Sequence, residues 1–362
     1  MGFVVRAATR RRSDGDRFDV GPTSLAAAVA CACFLASVAA QTTGSAPAQP
    51  PEATNSPPVL TFVRSISSAQ DVKPEHPVAE RTLTVIAGPK ENSETADVLE
   101  VPTAIVTDGA HRVYVADPGA HGVHVFDFDQ SKHFLVGGRN SQLQTPVAVA
   151  VSREGNLYVS DAGLASIFIY DAKGKFRGYL GKHQRESYFE TPVGIAIDTA
   201  TGRTYVCDAG RDMVIALDRK GHVVAHFGKR GGGTEPGEFR KPTQVATNGS
   251  ALMVLDTGNQ RLQIFDMKGH FRSQIKLAEV DENDGLAVDR EGNIYVAQSF
   301  LNRIQVFDRS GQPLYRLGKS GARAGEFAAP SGLWVDPKDG LYVADAGNHR
   351  VQQFRINARG GR

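Results

Sequence analysis

Cysteine is scarce in this chain and poorly placed for cross-links. Among 362 residues there are three Cys: Cys31 and Cys33 lie in an N-terminal apolar run, and Cys207 stands alone in the remainder. A disulfide framework within one copy of the body, and a cysteine-based zinc site there, are therefore excluded. Cys207 has apolar neighbours on its N-terminal side, and we expect it to be an inert buried thiol.

The chain also lacks a charge bias. Its formal net charge is +2, and residues 41–362 carry equal numbers of acidic and basic residues. A neutral body has no net field to favour non-specific binding to nucleic acid or to an anionic membrane. We therefore expect no nucleic-acid partner.

The N-terminus has the composition of a targeting segment. Arg10, Arg11 and Arg12 precede an apolar run over residues 25–40, which ends in small residues before Gln41. This pattern predicts a secretory signal in residues 1–40. An uncleaved anchor and lipid modification of Cys31 remain as alternatives. In each case we expect an exported protein, periplasmic, extracellular or envelope-anchored, with a membrane tether only through its N-terminus.

The remainder divides by composition. Residues 41–58 are rich in Pro, Ala and Thr and predict a flexible linker. Residues 59–80 are expected to be an extended lead-in segment, residues 81–358 the folded body and residues 359–362 a tail.

Sustained helical periodicity is missing from the body, which instead repeats one pattern six times. Each unit has an apolar run, usually after Pro, then a short strand ending in an acid, a tight turn and a returning strand. The turns follow positions 42 to 48 residues apart: Asp117, Asp161, Asp208, Asp256, Gln298 and Asp345. A period in the forties with four strands per unit predicts an all-β, six-bladed β-propeller of four-stranded antiparallel blades.

Closure of the ring is also predicted. The last unit stops after its third strand, so an N-terminal strand is needed to complete the last blade and remove its edge. We expect residues 81–87 to supply this strand. The strand-like residues 59–66 are expected to be an appendage on the outside.

The units resemble NHL repeats. They carry Gly-Glu-Phe and Pro before an inner strand, at residues 237–242 and 325–330, and the Tyr-Val-x-Asp and Asn-x-Arg-Val elements at residues 342–351. The resemblance covers roughly residues 81–356 and implies the six-bladed propeller. The region before the repeats also resembles that of bacterial secreted or lipid-anchored NHL-repeat proteins.

Candidate binding residues cluster at the repeated turns. The acids could form a ring of carboxylates, but repetition at one turn favours backbone capping. The arginines could form a basic rim for an anion or acidic peptide, or could pair with the acids. The candidate set is Arg211, Arg261, Arg303, Arg350, Asn348, Asp345, Asp256 and Asp208.

Enzymatic function is the alternative. Peptidyl-hydroxyglycine amidating lyases share the fold that the resemblance implies, and their family places metal-binding His just after the Pro of inner strands. Thr103, Val147, Val193, Thr243 and Ser331 occupy those places here. We therefore expect no catalytic residue, metal or cofactor, and favour an exported non-catalytic scaffold that binds a protein or peptide. A metal-dependent lyase or lactonase acting at the central channel is the other hypothesis.

Overall fold

The structure is a computed structural model that describes residues 60–73, 98–109, 111–139, 141–183 and 186–357. The predicted leader and linker, and residues 81–87, lie outside these ranges. No helix among the described residues is long and apolar enough to span a membrane.

The described chain forms six four-stranded antiparallel sheets, as the repeat predicts. We number these blades 1 to 6 and letter the strands of each blade a to d in the order of pairing. Blade 1 contains β2 (Ala104–Thr107), β3 (Arg112–Asp117), β4 (Gly122–Asp127) and β5 (Lys132–Gly137). Blade 2 contains β6 (Pro146–Val151), β7 (Leu157–Asp161), β8 (Ser166–Tyr170) and β9 (Phe176–Leu180). Blade 3 contains β12 (Pro192–Asp198), β13 (Arg203–Asp208), β14 (Met213–Leu217) and β15 (Val223–Gly228).

Blades 4 to 6 follow the same plan. Blade 4 contains β16 (Pro242–Thr247), β17 (Ala251–Asp256), β18 (Arg261–Asp266) and β19 (Phe271–Lys276). Blade 5 contains β20 (Leu286–Val288), β21 (Ile294–Gln298), β22 (Arg303–Phe307) and β23 (Pro313–Leu317). Blade 6 contains β24 (Pro330–Val335), β25 (Gly340–Asp345), β26 (Arg350–Ile356) and β1 (Leu60–Ile66). A short hairpin of β10 (Lys182–His183) and β11 (Glu186–Ser187) precedes blade 3, and 3-10 turns lie at Ala69–Val72, Thr257–Asn259 and Ala346–Asn348.

The blades form a closed ring. Strand a of every blade contacts strand a of the next, and strand a of blade 6 contacts that of blade 1. Six apolar clusters lie between neighbouring blades, one at each interface. The near-continuous apolar character of the a strands follows from this arrangement, since both of their faces are covered.

The prediction of an N-terminal closing strand is confirmed, but the strand assigned to it was wrong. β1 pairs antiparallel with β26, from Leu60 opposite Ile356 to Ile66 opposite Val351. β1 therefore occupies the place predicted for residues 81–87, which lie outside the described ranges, and residues 60–66 are not an external appendage. Ile66 is fully buried, and Phe62 packs edge-on against Phe354 with ring centroids 5.8 Å apart.

Strand alternation sets one end of the ring apart as the loop face. This face carries the b–c turn of each blade and the approach loop, which connects strand d of one blade to strand a of the next. The approach loops of blades 4, 5 and 6 are residues 229–241, 277–285 and 318–329. The predicted binding residues all lie at or beside b–c turns.

Candidate functional site: the loop face

The repeated acids are buried beneath the loop face. All five have no exposed surface: Asp117, Asp161, Asp208, Asp256 and Asp345. Each carboxylate accepts at least one hydrogen bond from a backbone N–H of the approach loop of its own blade, as Asp256 does from the Arg240 N–H at 2.7 Å. Asp161 also caps its own turn, at 3.0 Å from the Leu164 N–H. Each acid therefore fixes the approach loop to the b–c turn and does not line an open carboxylate ring.

Arg261 is held inside blade 4. Its side chain is 9% exposed, and its Nε lies 2.7 Å from Asp256 Oδ2. Its remaining nitrogens donate to the Gln274 side chain and to approach-loop carbonyls, among them Glu238 at 2.8 Å. Because these internal acceptors surround the guanidinium, Arg261 offers little to an external ligand.

Arg350 repeats this arrangement in blade 6. Its Nε lies 2.7 Å from Asp345 Oδ2, and Nη2 donates to the carbonyls of Arg323 and Glu326. Asn348 donates to the same carboxylate at 2.8 Å and to the Gly321 carbonyl at 2.9 Å. The arginine and the asparagine therefore serve to attach the approach loop.

The Gly-Glu-Phe motif completes this network. Gln263 in blade 4 accepts from the Gly237 N–H at 2.8 Å and donates to the Glu238 carbonyl at 2.7 Å. Gln352 makes the same two bonds to Gly325 and Glu326 in blade 6. Phe239 and Phe327, the last residues of the motif, are buried between blades. In both blades the approach loop thus covers the arginine and the glutamine of strand c.

Arg211 lies in a looser arrangement in blade 3. Its Nε is 3.5 Å from Asp208 and 3.4 Å from Glu190, and Glu190 is also 2.5 Å from Arg230. Two further cations of the approach loop of blade 4 are paired as well, since Lys229 contacts Glu238 and Lys241 contacts Glu282.

Blade 5 departs from this plan at the turn itself. Gln298 replaces the acid, and the anion has moved to Asp284 in the approach loop, where it accepts from the Ser299 N–H at 2.7 Å. In blade 5 the turn therefore donates this hydrogen bond and the loop carboxylate accepts it, which is the reverse of the bond in blade 4. Burial raises the pKa of Asp284 to about 6, against the opposing effect of its bonds from Ser299.

Arg303, which begins strand c of blade 5, has no carboxylate within 4.0 Å among the residues that the structure describes. Its Nε donates to Gln298 Oε1 at 2.9 Å. Burial and the charge of Arg316 lower the pKa of Arg303, and Glu279 opposes this shift. Of the three arginines that begin strand c, Arg303 alone is left without its acid.

Phe300 stands on the same turn. It is 75% exposed, more than any other large apolar side chain in the described ranges. The residue at its place in the other blades is glycine: Gly119, Gly163, Gly210, Gly258 and Gly347. A Cβ on Gly258 would lie 2.6 Å from the Arg240 carbonyl oxygen, and one on Gly347 would lie 2.9 Å from that of Ala328. The altered approach loop of blade 5 is what admits a side chain here.

The positions after the inner-strand Pro are occupied by short hydroxyl or apolar side chains with local partners. Ser331 donates to the Pro102 carbonyl at 2.9 Å, and the hydroxyls of Thr243 and Thr257 lie 2.6 Å apart. Within the described ranges, no group of three His, Cys, Asp or Glu is placed to hold a metal ion. Cys207 is fully buried, as predicted, and burial raises the pKa of its thiol.

Sequence reasoning missed Phe300, Arg316 and the Asp284–Ser299 bond. The signal for Phe300 was present, since an alignment of the six turns places it against five glycines. The reversal at Asp284 carries no such signal, because it depends on the shape of the approach loop.

Comparisons with known proteins agree with the fold. The family model of the NHL repeat matches residues 327–354. The chain is 34% identical over 279 residues to human E3 ubiquitin-protein ligase NHLRC1, covering 74% of this chain and 58% of the ligase. It is 31% identical over 135 residues to Protein brain tumor of Drosophila melanogaster, covering 34% of this chain and 12% of that protein. The chain thus spans less than two thirds of each relative.

Solved structures show the same fold at low identity. A streptogramin B lyase superimposes with a TM-score of 0.53 at 13% identity, covering 72% of this chain and 94% of the lyase. A protein of unknown function from Bacteroides thetaiotaomicron gives a TM-score of 0.55 at 15% identity, covering 75% and 73%. At these identities the likeness concerns the fold alone.

Proposed function

The chain is an NHL-repeat six-bladed β-propeller, and on that premise we propose that it is a non-catalytic scaffold that binds a protein or peptide through its loop face. The relatives named above include a ubiquitin-protein ligase, which supports a protein partner. The observation that carries the proposal is Phe300, a large apolar side chain 75% exposed on the loop face. Aromatic side chains supply much of the energy at protein interfaces once they are buried in a pocket of the partner.

The test compares Phe300→Ala with a matched control. Val224→Ala removes apolar surface from strand d of blade 3, where the side chain is 46% exposed and lies away from the b–c turns. Wild type and both variants, immobilised at equal density, are incubated with cell-envelope extract, and bound proteins are quantified by mass spectrometry. We expect at least one protein to be lost with Phe300→Ala and kept with Val224→Ala. Identical protein sets on all three would contradict the proposal.

We also propose that the protein is exported. The support is the basic start and apolar run of residues 1–40, which lie outside the described ranges. Fractionation of cells that produce the full chain, with N-terminal sequencing of the mature form, tests this. Recovery in the periplasm, the medium or the envelope supports export, and recovery in the cytosol with an intact N-terminus would contradict it.

A further inference from the structure

The b–c turn of blade 5 differs from its neighbours in charge as well as in shape. In blade 4 the positive charge of Arg261 is matched by Asp256 and covered by the approach loop. In blade 5 the acid is replaced by the neutral Gln298, and the guanidinium of Arg303 is bonded through Nε to that amide. The approach loop of blade 5 has no Gly-Glu-Phe motif, and its Ala278 carbonyl accepts from Gln298 instead.

A second cation lies on the same surface. Strand register places Arg316 of strand d opposite Gln305 of strand c, where blade 4 has Gln274 opposite Gln263. Gln274 accepts a bond from Arg261 at 2.9 Å, whereas Arg316 brings another positive charge. Arg316 Nε donates to Gln305 Oε1 at 3.0 Å, and no carboxylate lies within 4.0 Å of Arg316 in the described part of the chain.

An exposed apolar side chain and two cations thus share the loop-face end of blade 5. Phe300 lies at the turn, Arg303 follows three residues later, and Arg316 is on the adjoining strand. We propose that Phe300, Arg303 and Arg316 form a docking site for an extended segment of a partner protein that carries a carboxylate beside an apolar side chain. The guanidiniums bind the carboxylate through charge-assisted hydrogen bonds, and Phe300 packs against the apolar side chain. This inference rests on the proposed function and specifies the chemistry of its partner.

The surrounding charges favour a single carboxylate over a polyanion. The approach loop of blade 5 carries four acids, Glu279, Asp281, Glu282 and Asp284. Glu279 acts electrostatically on Arg303, and Asp281 and Asp284 accept from the Ser299 hydroxyl on the turn. A phosphate backbone laid across this end of blade 5 would meet these acids as well as the cations, and like charges repel. A peptide with one Asp or Glu can place its carboxylate at the arginines alone. The site therefore fits an acidic peptide better than a nucleic acid.

The test uses a displayed library of random 12-residue peptides selected against the full chain at physiological salt. Selected peptides are resynthesised with a fluorescent label, together with versions in which Asp or Glu is replaced by Asn or Gln. Binding is measured by anisotropy with wild type, Phe300→Ala, Arg303→Gln and Arg316→Gln. Arg309→Gln is the control, because Arg309 is exposed in the same blade but lies at the c–d turn, on the other face.

We expect the selected peptides to carry Asp or Glu beside an apolar residue. Each arginine variant and the uncharged peptides should bind about tenfold more weakly or worse, the scale of a charged hydrogen bond, and Arg309→Gln should bind as wild type. Arg316 is exposed, so Arg316→Gln keeps the test decisive if Arg303→Gln impairs folding.

The two proposals fail in different ways. Peptides that lose affinity with Phe300→Ala but not with either arginine variant would overturn the acidic docking site and leave the loop-face function standing. Selected peptides that bind all three variants as tightly as they bind wild type would overturn both proposals. Stronger Arg303-dependent binding of a single-stranded oligonucleotide than of any acidic peptide would assign this end of blade 5 to nucleic acid instead.

Discussion

Blades 4 and 5 have the same four strands but treat the arginine at the start of strand c in opposite ways. In blade 4, Arg261 is bonded to a buried acid and closed over by the approach loop. In blade 5, Arg303 is bonded to a neutral amide, and an exposed phenylalanine stands where blade 4 needs glycine. The contrast shows that the repeated residues attach the approach loop to the b–c turn, and the proposed docking site lies where the repeat is broken.

The largest expected effect comes from removing the buried acid of blade 4. Asp256→Ala leaves the guanidinium of Arg261 buried without its counter-ion, which typically costs about 3–5 kcal/mol. Gln298→Ala, the matched change in blade 5, removes a neutral partner and should cost only about 1 kcal/mol. Chemical denaturation of both variants measures the difference. Equal losses in the two blades would show that the acid is not what holds the turn.

A smaller effect is expected from the glycine of the turn. Gly258→Ala places a Cβ against the Arg240 carbonyl and should destabilise the protein by about 1–3 kcal/mol, as overpacking does. Phe300→Ala, which trims an exposed side chain, should change stability by no more than about 0.5 kcal/mol. Thermal unfolding of both variants and of wild type measures these changes. A Gly258→Ala protein as stable as wild type would contradict the close packing of turn and loop.

The reversed bond of blade 5 should be visible in the pH dependence of stability. The pKa of Asp284 in the folded protein is about 6, above its ordinary value, so the folded state binds this proton more tightly than the unfolded state. The contribution of Asp284 to stability is full below about pH 4 and falls as the pH rises through 6.

Asp284→Asn removes this titration but can still accept from the Ser299 N–H. Relative to wild type, the variant should therefore gain roughly 1–3 kcal/mol of unfolding free energy between pH 4 and pH 7. Denaturation of both proteins at each pH gives the difference, in which other titrating groups cancel. A constant difference would contradict the raised pKa.

The architecture was predictable because it rests on repetition. Six copies of one strand pattern specify blade number, strand order and the need for a closing strand. The identity of that strand was not predictable, because residues 59–66 and 81–87 both have strand-like patterns. Pairing with β26 is decided by register and by contacts such as Phe62 with Phe354, which a pattern of apolar residues does not encode.

The site was only partly predictable. The candidate acids and arginines were located at the turns. The sequence could not show that Arg261 and Arg350 donate to backbone carbonyls 23 to 27 residues away in the chain. Arg303 could be distinguished from Arg261 and Arg350 only once the structure showed that its Nε donates to Gln298 and not to an acid. The role of Arg316 follows from strand register in three dimensions.

The proposal that blade 5 binds the partner because Arg303 has no paired acid is tested most directly by restoring that acid. In Gln298→Asp the new carboxylate should pair with Arg303, as Asp256 pairs with Arg261 at 2.7 Å. Calorimetric titration of one selected acidic peptide into wild type and this variant measures the effect. We predict an affinity about tenfold or more lower for the variant. Unchanged or tighter binding would contradict the account.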